Sequence, residues 1–188
     1  SDAEIARRLA EREQENFRNT AAALRQAIQE SPDQAEMARH LVVDMTPEGL
    51  RIQLVDQELQ SMFPSGSASM NEKARRLMQT VATIVGRLPN ALSITGHTDA
   101  QPYRREGGYS NWELSADRAN ASRRALIEAG VPATRIEHVT GQAERELLFP
   151  DNPLNPSNRR IAVVLLREAP IVPGSIVPTS ALPPPLRR

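Results

Sequence analysis

The stretch that decides the fold lies near the middle of the chain and reads Leu92-Ser93-Ile94-Thr95-Gly96-His97-Thr98-Asp99. Its first four residues alternate between apolar and polar side chains, which is typical of a half-buried β-strand. Gly96 ends this strand, and a polar loop follows to about Ser110. Because ligands of α/β sheets tend to bind beyond the carboxyl ends of strands, Thr98 and Asp99 are candidate binding residues. The alternative is a structural turn, in which these side chains serve only the local backbone.

Helices are expected on both sides of this strand. A helix begins at Asn71, and its apolar residues fall on one face; they are Ala74, Leu77, Met78, Val81, Ile84, Val85 and Leu88. A second helix is expected from Trp112 to Ala129, with Asn111 as its N-cap and Gly130 as its C-terminal glycine.

Further strands complete the predicted sheet. The runs Leu41 to Val43 and Leu50 to Leu54 flank a Pro-Glu-Gly turn and predict a β-hairpin, and Arg135 to Thr140 is a short strand candidate. Residues Ile161 to Leu166 are apolar on both faces, which predicts a central strand. Strands that alternate with helices predict an α/β (α+β) two-layer sandwich, in which helices pack on one sheet.

The two ends of the chain differ from this middle. Residues 1–40 are predicted to be helical, and the thin apolar stripe of residues 1–30 indicates a linker helix, a partner-binding helix or a coiled coil without its partner. Ser31 is expected to cap a second helix, with Pro32 at its first position. The Pro-rich residues 169–188 are expected to be extended and disordered. The predicted domain is therefore 41–168.

Composition excludes several classes of protein. The 188 residues contain 23 Lys and Arg against 23 Asp and Glu, and this balance argues against nucleic acid as the main partner. The absence of cysteine excludes disulfides and thiolate metal sites. The longest purely apolar run, Ile161 to Leu166, is far shorter than the ~18 residues of a membrane span.

Charged side chains mark further candidate binding positions. Arg118 falls in the same helical stripe as Leu114, so it needs a ligand, a structural carboxylate or a path to solvent. Arg159 and Arg160 precede the central strand, where such a pair is commonly solvated.

His97 and Asp99 lack a third ligand, so no metal site is predicted. No GxSxG, HExxH or P-loop motif occurs, and neither an enzyme nor a cofactor is expected.

Four separated motifs, taken together, carry a family resemblance. They are Thr95-Gly96-His97-Thr98-Asp99, Leu114-Ser115-Ala116-Asp117-Arg118-Ala119, Gly130-Val131 with Arg135-Ile136, and Asn158-Arg159-Arg160-Ile161. In order and approximate spacing they resemble the OmpA-like peptidoglycan-binding domain over residues 50 to 166. This resemblance implies a βαβαββ mixed sheet with helices on one face, here preceded by a long N-terminal helix.

Other segments resemble one branch of this family, the B subunits of flagellar motor stators (MotB). They are Gly49-Leu50-Arg51-Ile52, Met62 to Ala68, Pro89-Asn90 and Tyr109 to Ser115. The branch implies a periplasmic fragment of a single-pass inner-membrane protein that anchors the stator to the cell wall. It also implies a stator A subunit as a partner through a membrane segment outside this sequence. A homodimer is expected as well, because it would bury the sparse apolar stripe of residues 1–30 and let two weak binding sites act together. Residues 1–40 would correspond to part of the family's plug and linker region.

The resemblance also implies a binding site. Asp99 and Arg118 would clamp the diaminopimelate of the peptidoglycan stem peptide, the carboxylate receiving an ammonium and the guanidinium fork a carboxylate. Thr98, Asn111 and Leu114 would lie around them. Either Arg159 or Arg160 would face the ligand, because neighbours in a strand point to opposite faces.

Three other functions remain open. The first is a wall anchor of the outer-membrane or lipoprotein type, with the same ligand and no motor role. The second is a cell-wall hydrolase that uses Asp99 and His97. The third is a purely structural helical adaptor, which would form a dimer and not bind the wall.

Overall fold

A computed structural model describes residues 1–169 of the chain. The helices are α1 (Asp2–Gln29), α2 (Gln34–Arg39), α3 (Glu72–Val85) and α4 (Asn111–Glu128); the strands are β1 (Leu41–Met45), β2 (Gly49–Val55), β3 (Leu92–His97), β4 (Arg104–Arg105), β5 (Tyr109–Ser110), β6 (Ile136–Gly141) and β7 (Arg160–Leu166). Within these described residues, no helix is both long and apolar enough to cross a membrane.

Five strands form one mixed sheet in the order β1-β2-β7-β3-β6. The hairpin β1–β2 is antiparallel, β7 is antiparallel to both β2 and β3, and β6 is parallel to β3. The predicted central position of β7 is confirmed: Val163 lies opposite Ile52 on one side and Ile94 on the other. The strands β4 and β5 form a separate two-stranded ribbon.

The sheet buries one face under a layer of helices. Alternate residues of β7, namely Ile161, Val163 and Leu165, belong to the hydrophobic core together with one face of α3. Gly96 in β3 allows α4 to approach closely, because a Cβ there would lie 2.1 Å from the Ser115 backbone oxygen. This close approach fixes the position of α4 beside the end of β3.

The long helix α1 finds an apolar partner within the chain. Phe17, Leu24 and Ile28 are buried in the common core, and α1 packs against α3. By contrast, Ile5 and Leu9 are 59% and 51% exposed. The prediction that this helix could bury little apolar surface without a partner therefore holds only for its first turns.

Two predicted helix caps are wrong by one or more residues. Ser110, not Asn111, caps α4 and forms a capping box with Glu113. Asp33 precedes α2, while the hydroxyl of Ser31 bonds to the Met37 sulfur instead of capping the helix.

The predicted disordered tail, apart from Ala169, lies outside the described residues.

Candidate functional site

Sheet topology brings three chain segments together at one edge. Since β2 and β3 are parallel to each other and β7 runs the opposite way between them, the ends of β2 and β3 meet the start of β7. Arg160 pairs with Val55 on one side and His97 on the other. The residues just beyond this register therefore converge, and they are Asp56, Asp99 and Arg159.

Arg159 joins the two carboxylates at this edge. Its Nε donates to Asp56 Oδ2 at 2.9 Å and its Nη1 donates to Asp99 Oδ2 at 2.7 Å. Burial raises the pKa of Asp56, although the Met62 amide and Arg159 oppose this effect by hydrogen bonding. Burial alone would lower the pKa of Arg159, but the bonds to both carboxylates outweigh it and raise that pKa.

The segment after β3 has a defined shape. Asp99 Oδ1 accepts a hydrogen bond from the Gln101 amide at 2.9 Å, and the Thr98 hydroxyl donates to the Asp99 carbonyl. The Thr98 amide donates to the Ala143 carbonyl. The turn expected as an alternative to a binding segment is thus present, and it holds the Asp99 carboxylate at the sheet edge.

Arg118 is buried without a carboxylate partner among residues 1–169. Its side chain comes from α4, its Nε donates to the Ser67 carbonyl at 2.8 Å, and its Nη2 donates to the Pro64 carbonyl at 3.2 Å. Its guanidinium lies 5.0 Å from the centre of the Phe63 ring. Burial lowers the pKa of Arg118, but the group stays charged at neutral pH.

Neither predicted structural alternative for Arg118, an exit to solvent or a paired aspartate, matches this arrangement. The chain itself uses the N–H of Nε and one N–H of Nη2, which leaves one N–H of Nη2 and both of Nη1 for a ligand carboxylate. Nη1 has no acceptor among the described residues.

A tyrosine from the long β3–α4 loop supports the segment that holds Arg118. Tyr103 Oη donates to the Gly66 carbonyl at 3.2 Å. Gly66 has a φ of +66°, and a Cβ there would lie 2.8 Å from the tyrosine ring. Glycine is therefore required both for the backbone conformation and for the ring contact.

These groups line a cavity of about 420 Å³. Six of the seven residues predicted for the site line it: Thr98, Asp99, Asn111, Leu114, Arg118 and Arg159. The side-chain amide of Asn111 donates to the Gln101 carbonyl and to Glu144.

Arg160 lies on the opposite face of the sheet. Its guanidinium donates to Gln53 Oε1 at 2.9 Å and to the carbonyls of Asn158 and Glu146. His97 lies beside Arg160 on the neighbouring strand. Burial lowers the pKa of His97 to about 3, and the charges of Arg160 and Arg51 add to this effect. His97 and Asp99 therefore do not form a joint acid–base pair. Arg159 and Arg160, which were expected to be solvated, are both held by hydrogen bonds within the chain.

Sequence reasoning missed Asp56 and Phe63. Asp56 directly follows an alternating apolar strand, so the rule that identified Asp99 also applied to it. Phe63 lies in a Pro- and Gly-containing loop, and no local pattern indicates that this loop folds back onto Arg118. Residues 1–169 contain no group of three or more acidic or His side chains suited to hold a metal ion.

The cavity has a chemical preference. One carboxylate, that of Asp99, and two guanidinium groups, those of Arg118 and Arg159, line it, and Asp99 and Arg118 reach the cavity from different elements. Such an arrangement fits a small ligand that carries both an ammonium and a carboxylate group. Fold and site together define a two-layer α/β domain with a polar cavity at one edge of its sheet.

Residues 62–160 match the OmpA family, and the chain belongs to this family. It is 40% identical over 157 residues to Motility protein B of Escherichia coli strain K12, which covers 83% of this chain and 51% of that protein. The chain thus spans about half the length of this curated relative.

Two solved structures share the fold. A MotB-like protein from Desulfovibrio vulgaris has a TM-score of 0.69 at 23% identity, covering 85% of this chain and 99% of that one. The periplasmic domain of Helicobacter pylori MotB (residues 90–256) has a TM-score of 0.59 at 22% identity, covering 69% of this chain and 80% of that one. These structural similarities confirm the predicted fold class, and the 40% identity to Motility protein B confirms the resemblance to the MotB branch.

Proposed function

We propose that this chain is a non-catalytic cell-wall anchor that binds the diaminopimelate-containing stem peptide of peptidoglycan and holds a flagellar motor stator in place. The observation that carries the proposal is the placement of Asp99 and Arg118 in one cavity. The 40% identity to Motility protein B favours the motor context.

The geometry suggests how the ligand is held. The ammonium group of diaminopimelate approaches Asp99, whose Oδ2 is already bonded to Arg159. The ligand carboxylate receives a hydrogen bond from Nη1 of Arg118. Thr98, Asn111 and Leu114 form the surrounding wall, whereas Arg160 makes no contact. The hydrolase alternative loses support, because His97 lies on the other face of the sheet.

Sedimentation with purified cell-wall sacculi tests the wall-binding part. Asp99→Ala and Arg118→Ala should abolish co-sedimentation while the circular dichroism spectrum stays unchanged. Arg124→Ala is the matched control, since Arg124 is exposed on the same helix as Arg118 and should co-sediment like the unaltered chain. Wild-type co-sedimentation by both site variants would show that the assigned site is wrong.

The assembly around the domain is part of the same proposal. The chain lies in the periplasm, acts as a homodimer in which two weak wall contacts reinforce each other, and joins a stator A subunit through a membrane segment. Residues 1–40 form the connection towards that segment. In a motile strain, deletion of the wall-binding region should stop swimming. Normal swimming would favour an outer-membrane or lipoprotein-type anchor instead.

A further inference from the structure

Asp56 is a buried carboxylate that lies behind the lining of the Asp99 cavity and is not part of it. It directly follows β2 and is 3% exposed. An ionised carboxylate at this depth is costly unless hydrogen bonds and an opposite charge compensate it. The partners of its two oxygens therefore indicate what the residue does.

One oxygen of Asp56 serves the Asp99 side of the cavity. Oδ2 accepts a hydrogen bond from Arg159 Nε at 2.9 Å, and Nη1 of the same guanidinium donates to Asp99 Oδ2 at 2.7 Å. The Asp56 amide also donates to the Arg159 carbonyl at 3.0 Å. Asp56 thereby fixes the guanidinium that holds the Asp99 carboxylate.

The other oxygen serves the Arg118 side. Oδ1 accepts a hydrogen bond from the Met62 amide at 2.8 Å, and Met62 begins the segment that folds over Arg118. Two carbonyls of this segment, those of Pro64 and Ser67, accept the hydrogen bonds of the Arg118 guanidinium. A single carboxylate outside the cavity therefore secures both charged groups that are proposed to hold the ligand.

Both connections depend on the charge of Asp56. The charged groups that face it are Arg159, which precedes β7, Arg118 from α4, and Asp99 on the far side of Arg159. Burial raises the pKa of Asp56, while the Met62 amide and the two guanidinium groups oppose this effect. Protonation would remove the charge-assisted bond to Arg159 Nε and leave Arg159 to Asp99 alone. The Asp99 carboxylate would then be more fully neutralised and would receive an ammonium group less well.

We propose that Asp56 is a positioning residue of the wall-binding site and that its ionised form is required for full affinity. This inference rests on the proposed function, because it names what positions the two groups that hold the stem peptide. Asp56 itself does not contact the ligand. A consequence is that wall binding weakens as the pH falls and Asp56 takes up a proton.

Titration calorimetry of the chain with a soluble diaminopimelate-containing stem tripeptide tests this role. Asp56→Asn preserves the shape of the side chain but removes its charge, and it should weaken tripeptide binding about tenfold at pH 7. Asp44→Asn is the matched control. Asp44 forms the same kind of ion pair with Arg51 across the β1–β2 hairpin, and its replacement should leave the affinity unchanged.

The pH profile separates positioning from a purely structural role. Between about pH 6 and pH 4.5 the tripeptide affinity of the unaltered chain should fall, and that of Asp56→Asn should change much less, because asparagine does not ionise. Asp44→Asn should follow the unaltered chain. The titration of the tripeptide itself is common to all three proteins, and circular dichroism at each pH shows that they are folded.

A ligand-free measurement on the unaltered chain needs no variant to fold. In NMR spectra, the Nε–H signals of Arg159 and Arg118 should both shift over the same pH range, because one carboxylate secures the surroundings of both guanidinium groups.

The outcomes distinguish the two proposals. Equal tripeptide affinity of the unaltered and Asp56→Asn chains at pH 7, parallel pH profiles, or Nε–H signals that do not move overturn the role of Asp56 and leave the proposed function intact. If the unaltered chain does not bind the tripeptide at any of these pH values, the proposed function falls and the positioning role falls with it. A weakened Asp56→Asn chain with a flat pH profile, beside a normal Asp44→Asn chain, supports both.

Discussion

Arg159 and Arg160 are neighbours in sequence, yet they belong to two clusters on opposite sides of the sheet. Arg159 bonds to two carboxylates beside a cavity. Arg160 is buried against neutral oxygens, among them Gln53 Oε1, next to His97. One cluster thus pairs opposite charges where a ligand can reach them, and the other satisfies a buried cation with amide groups.

This difference indicates that the Arg159 cluster serves ligand binding and the Arg160 cluster serves stability. Carboxylates and guanidinium groups beside a cavity can exchange part of their contacts for a ligand. A guanidinium enclosed by amides has no such alternative and orders the chain around it. We therefore expect substitutions on the cavity side to change wall binding, and substitutions on the other side to change only stability.

The largest effect is expected for Arg159→Ala. Removing this cation leaves Asp56, which is 3% exposed, and Asp99 without their shared partner. Urea unfolding at pH 7 should show a loss of about 3 kcal/mol, and co-sedimentation with sacculi should be lost as well. Arg159→Lys, which keeps the positive charge but lacks the planar fork that joins both carboxylates, should be intermediate. An Arg159→Ala variant as stable as the unaltered chain would show that the carboxylates do not depend on Arg159.

The second prediction concerns the opposite cluster. Arg160→Met preserves side-chain bulk but leaves Gln53 Oε1 and two carbonyls without their donor. The free energy of unfolding should fall by about 2–3 kcal/mol, while the folded variant binds sacculi like the unaltered chain. Loss of sacculus binding by a variant shown to be folded would contradict the division into two clusters.

The sequence predicted most of the fold because its patterns are local. Alternation in β3, the apolar run of β7 and the one-sided stripe of α3 each follow from short-range periodicity. The site was predicted less completely. Asp99 and Arg118 came from motifs, but the contacts of Arg118 with the Pro64 and Ser67 carbonyls span more than 50 positions and leave no local pattern. The packing of α1 on α3 is likewise a tertiary property.

His97 should make stability depend on pH. Its pKa is lowered to about 3 in the folded chain, whereas the unfolded chain binds a proton near pH 6.5, so acidification between these values favours unfolding. The contribution is present above pH 6.5 and should fall by about 2 kcal/mol between pH 6.5 and pH 5.

The measurement is urea unfolding at both pH values, with His97→Gln as the comparison. Subtracting the pH dependence of the variant's unfolding free energy from that of the unaltered chain removes the contributions of the groups they share. The difference should therefore report the contribution of His97. Equal pH dependence in the two proteins would mean that His97 takes up a proton in the folded state. Sacculus binding, which depends on the other cluster, should not follow this titration.

The smallest effect tests how the loop supports the cavity. Tyr103→Phe removes the hydrogen bond to the Gly66 carbonyl but keeps the ring that packs against this glycine. The 64–67 segment should then hold Arg118 less firmly, which weakens wall binding by about fivefold, or about 1 kcal/mol, with little change in unfolding. Gly66→Ala, which forces the ring away, should weaken binding more. If neither variant changes sacculus affinity, α4 alone positions Arg118. Wall binding would then depend on the charged groups beside the cavity and not on the contact between Tyr103 and Gly66.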